Sequence, residues 1–295
     1  MRGRVVAFAL QALLRVLGRL SYAATERLGG VVGDLAYLRN GTLRRVTRAN
    51  LSVCFPNLSE EDLEALARES LRHTGRYAAE FGMVWGRGDQ RWRSLIKDVV
   101  GADVIDEARK AGRGVLVLVP HFGNWEILNL FLGERYGLTA LYEPMRIPSF
   151  DPIVRSGRTR TGSRLVPTSA GGIRALYGAL REGRVVALLP DQVPTAAGAY
   201  APFFGRPALT MVLVHRLIAR AAPRVVMGHA RRLPDAGGFC VGFEALPQLE
   251  KVADQRAALT EMNAAIERLV RTDRAQYQWE YKRFKRPRPG DQKIY

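Results

Sequence analysis

Six short apolar runs with helical stretches between them constrain the possible folds of this chain more than any other feature. The runs fall at residues 114–119, 138–142, 164–167, 185–189, 224–228 and 240–243. Segments 125–134, 152–161, 172–182 and 210–221 read as helices separating several of them, and 254–271 reads as a helix after the last. Short runs bounded by turn residues read as strands, and strands alternating with helices read as βαβ units. The expectation is an α/β fold, a largely parallel central sheet flanked by helices. Pro234-Asp235-Ala236-Gly237-Gly238 should join the last two runs as a hairpin. The first hundred residues instead read as helical. Ser59 suits an N-cap with Asp62 at the capping-box position. That helix should run to about residue 85 and break at Gly86-Arg87-Gly88-Asp89.

With 295 residues, 47% of them hydrophobic, the chain is long and apolar enough for a sizeable core, which excludes a disordered protein. Two cysteines, Cys54 and Cys240, are too few for a disulfide framework and lack metal-ligand spacing, so both are expected to be buried. The formal net charge of +17 calls for an anionic partner. Near the N-terminus, Arg4, Gln11, Arg15, Arg19, Tyr22 and Glu26 follow one helical stripe, and most of residues 5–20 are apolar. No uncharged run reaches the roughly 18–20 residues that cross a bilayer. The pattern fits a basic amphipathic helix lying in a membrane interface, with an ordinary helix packed on the core at the start of the fold as the alternative. Residues 1–40 are therefore expected to form an N-terminal helical membrane-associating region. Residues 41–295 should hold the α/β domain, with 41–100 as its helical subregion.

The chemistry concentrates where the first apolar run ends, at Pro120-His121-Phe122-Gly123-Asn124-Trp125-Glu126. A strand-to-helix turn is where α/β folds place ligands. A histidine backed by a carboxylate can take a proton from a hydroxyl and return it later. His121 and Glu126 are five residues apart, about 140° around a regular helix, so they meet only if the chain turns between them. Gly123 permits such a turn, and Asn124 suits an N-cap that leaves Glu126 in the first helical turn. A second run ends at Leu188-Leu189-Pro190-Asp191-Gln192 and should open on the same edge. Asp191 there either serves a site or caps a turn. Arg155, Arg158, Arg160 and Arg164 form a cluster suited to phosphate, with Arg158 and Arg164 the favoured ligands. Pro202-Phe203-Phe204-Gly205 reads as an apolar loop that lines a pocket or packs in the core, and Trp125 carries the same two readings. Neither a G-x-S-x-G elbow nor a Walker loop is present, and no His/Cys cluster suggests zinc.

Nearly end to end, the chain resembles the bacterial lipid A late acyltransferases, lysophospholipid-type enzymes that move an acyl chain from acyl carrier protein. The resemblance rests on Ala49-Asn50-Leu51 with Cys54-Phe55-Pro56, the string around His121, Leu189-Pro190-Asp191-Gln192, Pro202-Phe203-Phe204-Gly205 with Pro207-Ala208, and Trp279-Glu280-Tyr281-Lys282-Arg283-Phe284. It implies a catalytic pair at His121 and Glu126, the family's H-x4-D/E motif. It also raises a site role for Asp191. Gly123, Asn124, Arg158, Arg164, Asp191 and Gln192 are the substrate-binding candidates; Trp125, Phe203 and Phe204 are the acyl-chain candidates. The implied partners are acyl carrier protein as donor, a phosphorylated glycolipid of lipid A precursor type as acceptor, and an anionic membrane surface. The implied location is the cytoplasmic face of the inner membrane. No cofactor, metal or nucleic acid is expected. The alternatives are a different lysophospholipid, glycolipid or aminolipid as acceptor, or a non-catalytic basic protein that binds membrane or nucleic acid.

Overall fold

A seven-stranded sheet carries the fold, in the strand order β1-β9-β8-β2-β5-β3-β4. The computed structural model describes residues 2–86, 90–145 and 147–295, without the side chains of residues 2–7. Four helices come first: α1 (Arg2–Leu17), α2 (Tyr22–Leu38), α3 (Thr42–Cys54) and α4 (Glu60–Trp85). A short α5 (Arg91–Leu95) leads into β1 (Ile96–Val100) and α6 (Asp103–Lys110). The alternating part then runs β2 (Val115–Leu118), α7 (Trp125–Tyr136), β3 (Thr139–Tyr142), α8 (Asp151–Thr159), β4 (Arg164–Pro167), α9 (Ala170–Arg181) and β5 (Val185–Leu188). A separate antiparallel hairpin, β6 (Gly198–Phe203) and β7 (Arg206–Met211), precedes α10 (Leu213–Ala221), β8 (Arg224–Arg232) and β9 (Phe239–Ala245). The chain ends with α11 (Pro247–Lys251), α12 (Gln255–Thr272), a 3-10 turn at Arg274–Gln276, and a non-regular tail.

All six expected strands form, and the sheet is mostly parallel; β9 and β1 run against the other five. β2 and β5 are buried along their whole length, as strands covered by helices on both faces must be. Their side chains alternate between two cores. Leu116, Leu118, Val186 and Leu188 face one side, with α9, α10, α12 and Trp279. Val115, Val117, Val185 and Ala187 face the other, with α6 and α7.

Several expectations change. The N-terminal stripe is not on one helix, because the chain breaks at residues 18–21 and restarts at α2 behind the N-cap Ser21. Arg4 and the apolar side chains of residues 5–7 lie outside the described residues. Leu14 is buried, with its backbone carbonyl set directly against Gly86, whereas Phe8, Leu13 and Val16 are exposed. Leu28, Val31, Val32, Leu35 and Leu38 form an exposed apolar stripe along α2. Among the described residues, no helix is long and apolar enough to cross a membrane. Ser59 caps α4 as anticipated, accepting from the Asp62 N–H. Gly86 ends the helix, and the rest of the expected break, residues 87–89, lies outside the described residues. Cys54 is buried, but Cys240 is only part-buried.

The helical layer is joined to the sheet in two ways. Gly29 and Gly33 of α2 lie directly on the α4 backbone: a Cβ at either would come within 2.3 Å of Arg76 Cα or Arg72 Cα. A buried ion pair then ties α4 to β8. Arg232 donates to both Glu80 carboxylate oxygens, at 2.8 and 2.6 Å, with both side chains almost fully buried. Glu80 also accepts from Tyr22 of α2 and from Asn124, the cap of α7. His73 of α4 lies 3.1 Å from Arg232 Nη1.

Removing Glu80 takes the two close carboxylate oxygens from buried Arg232 and leaves it Glu26, 3.2 Å from Nε, so Glu80→Ala should lower unfolding stability by up to roughly 3–5 kcal/mol in urea titrations. A second expectation concerns acid. Burial, with Arg232, Arg76 and Arg72 adding to it, lowers His73 from 6.5 to about 2. The unfolded chain therefore binds the extra proton first, and stability falls as pH drops below about 6.5. Unfolding measured between pH 7 and pH 5 should show His73→Gln flattening that fall.

Candidate active site

β2 and β5 are parallel neighbours in register, with Leu118 opposite Leu188. Each strand ends at a proline two residues later, Pro120 and Pro190. Proline has no N–H to extend a ladder. The next residue of each strand therefore leaves the sheet at the same level, and these residues are His121 and Asp191. The Asp191 carboxylate is 2.8 Å from His121 Nδ1 through one oxygen and accepts the His121 backbone N–H at 2.8 Å through the other. Two bonds to one carboxylate fix both the ring and the backbone behind it. Burial alone would raise Asp191; the His121 ring and backbone N–H outweigh it and hold the carboxyl below its ordinary range.

With Nδ1–H donating to Asp191, His121 Nε2 keeps its lone pair, and the side-chain amide of Gln192 donates to it at 3.0 Å. The imidazole is only slightly exposed, whereas Asp191 is sealed. Trp125 meets the ring edge-on, with centroids 6.0 Å apart. The narrow cleft beside His121 is also lined by Asn50, Tyr277, Gln278, Trp279, Tyr281 and Arg283. Asn50 holds the wall of this cleft by donating to the carbonyls of Trp279 and Tyr281 at 2.6 and 2.8 Å.

Glu126, expected as the partner of His121, faces elsewhere. Asn124 caps α7, accepting from the Glu126 and Ile127 N–H groups. The fully buried Glu126 carboxylate takes Arg158 of α8 instead, with Nη2 at 2.6 Å and Nε at 3.1 and 3.2 Å. Arg158 lies over the rings of Trp125, Tyr142 and Trp85, at 4.6, 5.5 and 5.7 Å from their centroids. The physical reason is the helix. A carboxylate in the first turn of α7 is carried round the axis away from the turn that holds His121, toward α8.

The other candidates separate clearly. Gln192 and Trp125 join His121 and Asp191 at the site. Gly123 shapes it: its φ is +62°, and a Cβ there would lie 2.1 Å from the Ala230 carbonyl oxygen. Asn124 is a buried cap whose amide donates to Glu80, so its polar atoms are committed to the fold. Arg164 begins β4 and is exposed, at the opposite sheet edge from the strand ends that carry His121 and Asp191. Phe203 and Phe204 do not line an open loop; they close the β6–β7 hairpin and pack in the core with Phe55, Tyr277 and Trp279. Asn50, Trp279, Tyr281 and Arg283 went unrecognised as cleft residues. Their signal was present in the Ala-Asn-Leu and Trp-Glu-Tyr-Lys-Arg-Phe strings.

The sequence is similar to that of known acyltransferases. The family model for bacterial lipid A biosynthesis acyltransferases matches residues 1–286. The lipid A biosynthesis palmitoleoyltransferase of Escherichia coli (strain K12) is 29% identical over 283 residues, covering 94% of this chain and 90% of that protein. The lipid A biosynthesis lauroyltransferase of the same organism is 27% identical over 283 residues, covering 92% and 89%. A phosphatidylinositol mannoside acyltransferase of Mycobacterium tuberculosis (strain CDC 1551 / Oshkosh) is 28% identical over 197 residues, covering 65% and 61%.

Removing Arg158 would leave the Glu126 charge buried and alone. Arg158→Met should therefore cost roughly 3–5 kcal/mol, and adding Glu126→Gln to it should recover a large part. Urea unfolding of the two single variants and the double variant measures the coupling.

Proposed function

The chain belongs to the bacterial lipid A biosynthesis acyltransferase family, and on that premise we propose that it moves a fatty acyl group from an acyl carrier protein thioester to a hydroxyl of a lipid A precursor. The observation that carries the chemistry is the contact between His121 and Asp191. His121 Nε2 is the general base: the acceptor hydroxyl displaces the Gln192 amide and gives its proton to Nε2. Its oxygen attacks the thioester carbonyl, forming the new C–O bond. The C–S bond then breaks, and the thiolate takes the proton back from Nε2. Asp191 holds the tautomer and stabilises the imidazolium that forms between the two steps. Glu126 contributes through Arg158, which keeps α7 and α8, and with them Trp125, in place beside the imidazole. In this scheme His121 and Asp191 are the catalytic pair.

The remaining parts of the reading follow from charge and apolar surface. Phe8, Leu13 and Val16 on α1, with Leu28, Val31, Val32, Leu35 and Leu38 on α2, supply an apolar face for the membrane interface. The net charge of +17 suits both an acidic carrier protein and a phosphorylated acceptor at an anionic surface. On this reading the protein works at the cytoplasmic face of the inner membrane. The mannoside acyltransferase relative favours a second acceptor class, another phosphorylated glycolipid, reached by the same residues.

The test is acyl transfer by the purified protein in detergent, from a panel of acyl carrier thioesters to lipid A precursor and to other glycolipids. His121→Ala and Asp191→Asn should each lower kcat by about 10²–10⁴-fold without loss of folding. Glu126→Gln should lose activity only in step with its thermal stability. Transfer to another glycolipid but not to lipid A precursor would move the acceptor. An active Asp191→Asn would overturn the pair.

A further inference from the structure

Both ring nitrogens of His121 are engaged in the resting protein. Asp191 takes Nδ1 at 2.8 Å, and the Gln192 side-chain amide donates to Nε2 at 3.0 Å. A base whose lone pair already accepts a hydrogen bond cannot take a proton until that bond opens. The chain around Gln192 is held on both sides. The Asp191 carboxylate accepts the His121 N–H at 2.8 Å, and the Val193 N–H donates to the Tyr281 hydroxyl at 2.9 Å. The Gln192 side chain between them is only part-buried and borders the same cleft as His121. It can therefore leave the ring by rotation about its own bonds, with the backbone in place.

Acyl transfer has a competitor at this imidazole. The cleft beside His121 has free space close to that of one water molecule. Water activated by Nε2 would give its proton to the ring and form a C–O bond to the thioester carbonyl. The C–S bond would break, and the thiolate would take the proton back. The products would be free fatty acid and carrier thiol. Hydrolysis and transfer therefore share the base, the electrophile and the leaving group, and differ only in the oxygen that attacks.

Resting on the acyl-transfer reading above, we propose that Gln192 selects transfer over hydrolysis, by capping the lone pair of His121 Nε2 until an acceptor displaces it. Opening the cap costs one hydrogen bond. A glycolipid hydroxyl offsets that loss with binding energy from the rest of its molecule. Water has no further contacts to contribute, so it competes with the amide on hydrogen bonding alone. The cap is a local induced fit, closed to a nucleophile that binds nowhere else. Gln192 neither gains nor loses a proton in either reaction. Since a single neutral hydrogen bond is at stake, the selection it provides is at most about tenfold.

The test is cleavage of an acyl carrier protein thioester by the purified protein in detergent, followed as free thiol, free fatty acid and acylated glycolipid. It is run without acceptor and with the glycolipid that supports most transfer, with thermal melting as a check on folding. Gln192→Met fills nearly the same space without an N–H. Gln192→Asn keeps an amide but is one methylene too short to reach Nε2 from the same backbone. Each should raise acceptor-free hydrolysis by about three- to tenfold, and shift the products toward free fatty acid when acceptor is present. Adding His121→Ala should abolish the gain. A merely structural role for Gln192 would instead lower hydrolysis and transfer together. A folded Gln192→Met or Gln192→Asn that hydrolyses the thioester no faster than wild type, or a gain that survives His121→Ala, would each overturn the assignment. Where wild type transfers and His121→Ala does not, such a result overturns Gln192 alone. A wild type inactive on every acceptor overturns the acyl-transfer reading and this inference together.

Discussion

The buried carboxylate of Asp191 is the constraint on which the site depends. A carboxylate removed from water is stable as an anion only where donors surround it, and His121 supplies two, one from its ring and one from its backbone. Those bonds exist because β2 and β5 pair in register and each stops at a proline two residues beyond its last paired residue. The geometry at the imidazole is thus a property of the sheet. A slip of one residue between β2 and β5 would separate the pair and also turn every side chain of one strand into the wrong core.

Ion pairs support this centre from behind. Glu80 with Arg232 and Glu126 with Arg158 are both buried, and each closes a gap between elements that share no backbone ladder. The first joins α4 to β8 and steadies the Asn124 cap; the second joins α7 to α8. Buried pairs contribute little over an apolar substitute, but breaking one is costly. Their effect here is therefore on which arrangement forms, because a packing that separated either pair would leave charges buried without a close partner. Much of the arginine excess stays outside such pairs, on the surface, where it makes the electrostatic field of the molecule strongly positive.

How much of this was legible in the sequence depended on distance along the chain. The strand runs, the Ser59 and Asn124 caps and the β8–β9 hairpin are local signals, and each forms where the residues indicate. The hairpin β6–β7 was missed because Pro202 and Pro207 sit in it as paired residues, at positions where proline normally argues against a strand. At the site, His121 was legible from its string, but its partner was not. Glu126 lies five residues away and looks like a neighbour, while Asp191 lies seventy residues on and becomes one only through strand pairing. The clue was the shared ending: Val-Leu-Val-Pro-His in one strand and Ala-Leu-Leu-Pro-Asp in the other. The N-terminal stripe misled for a related reason. Helical periodicity continues on paper through residues 18–21, where the chain in fact turns.

The glycine contact between α2 and α4 has a mechanical consequence. With Gly29 and Gly33 set directly on the α4 backbone, the two helices cannot slide or roll without a clash of main-chain atoms. One side of this unit bears the apolar residues Val31, Leu35 and Leu38, while α4 carries Thr74 and Tyr77 into the cleft next to His121. Whatever surface the apolar side rests on is therefore held at a fixed height and tilt from the imidazole. The unit works as a rigid bracket, and the approach of any molecule lifted from that surface is set by its shape.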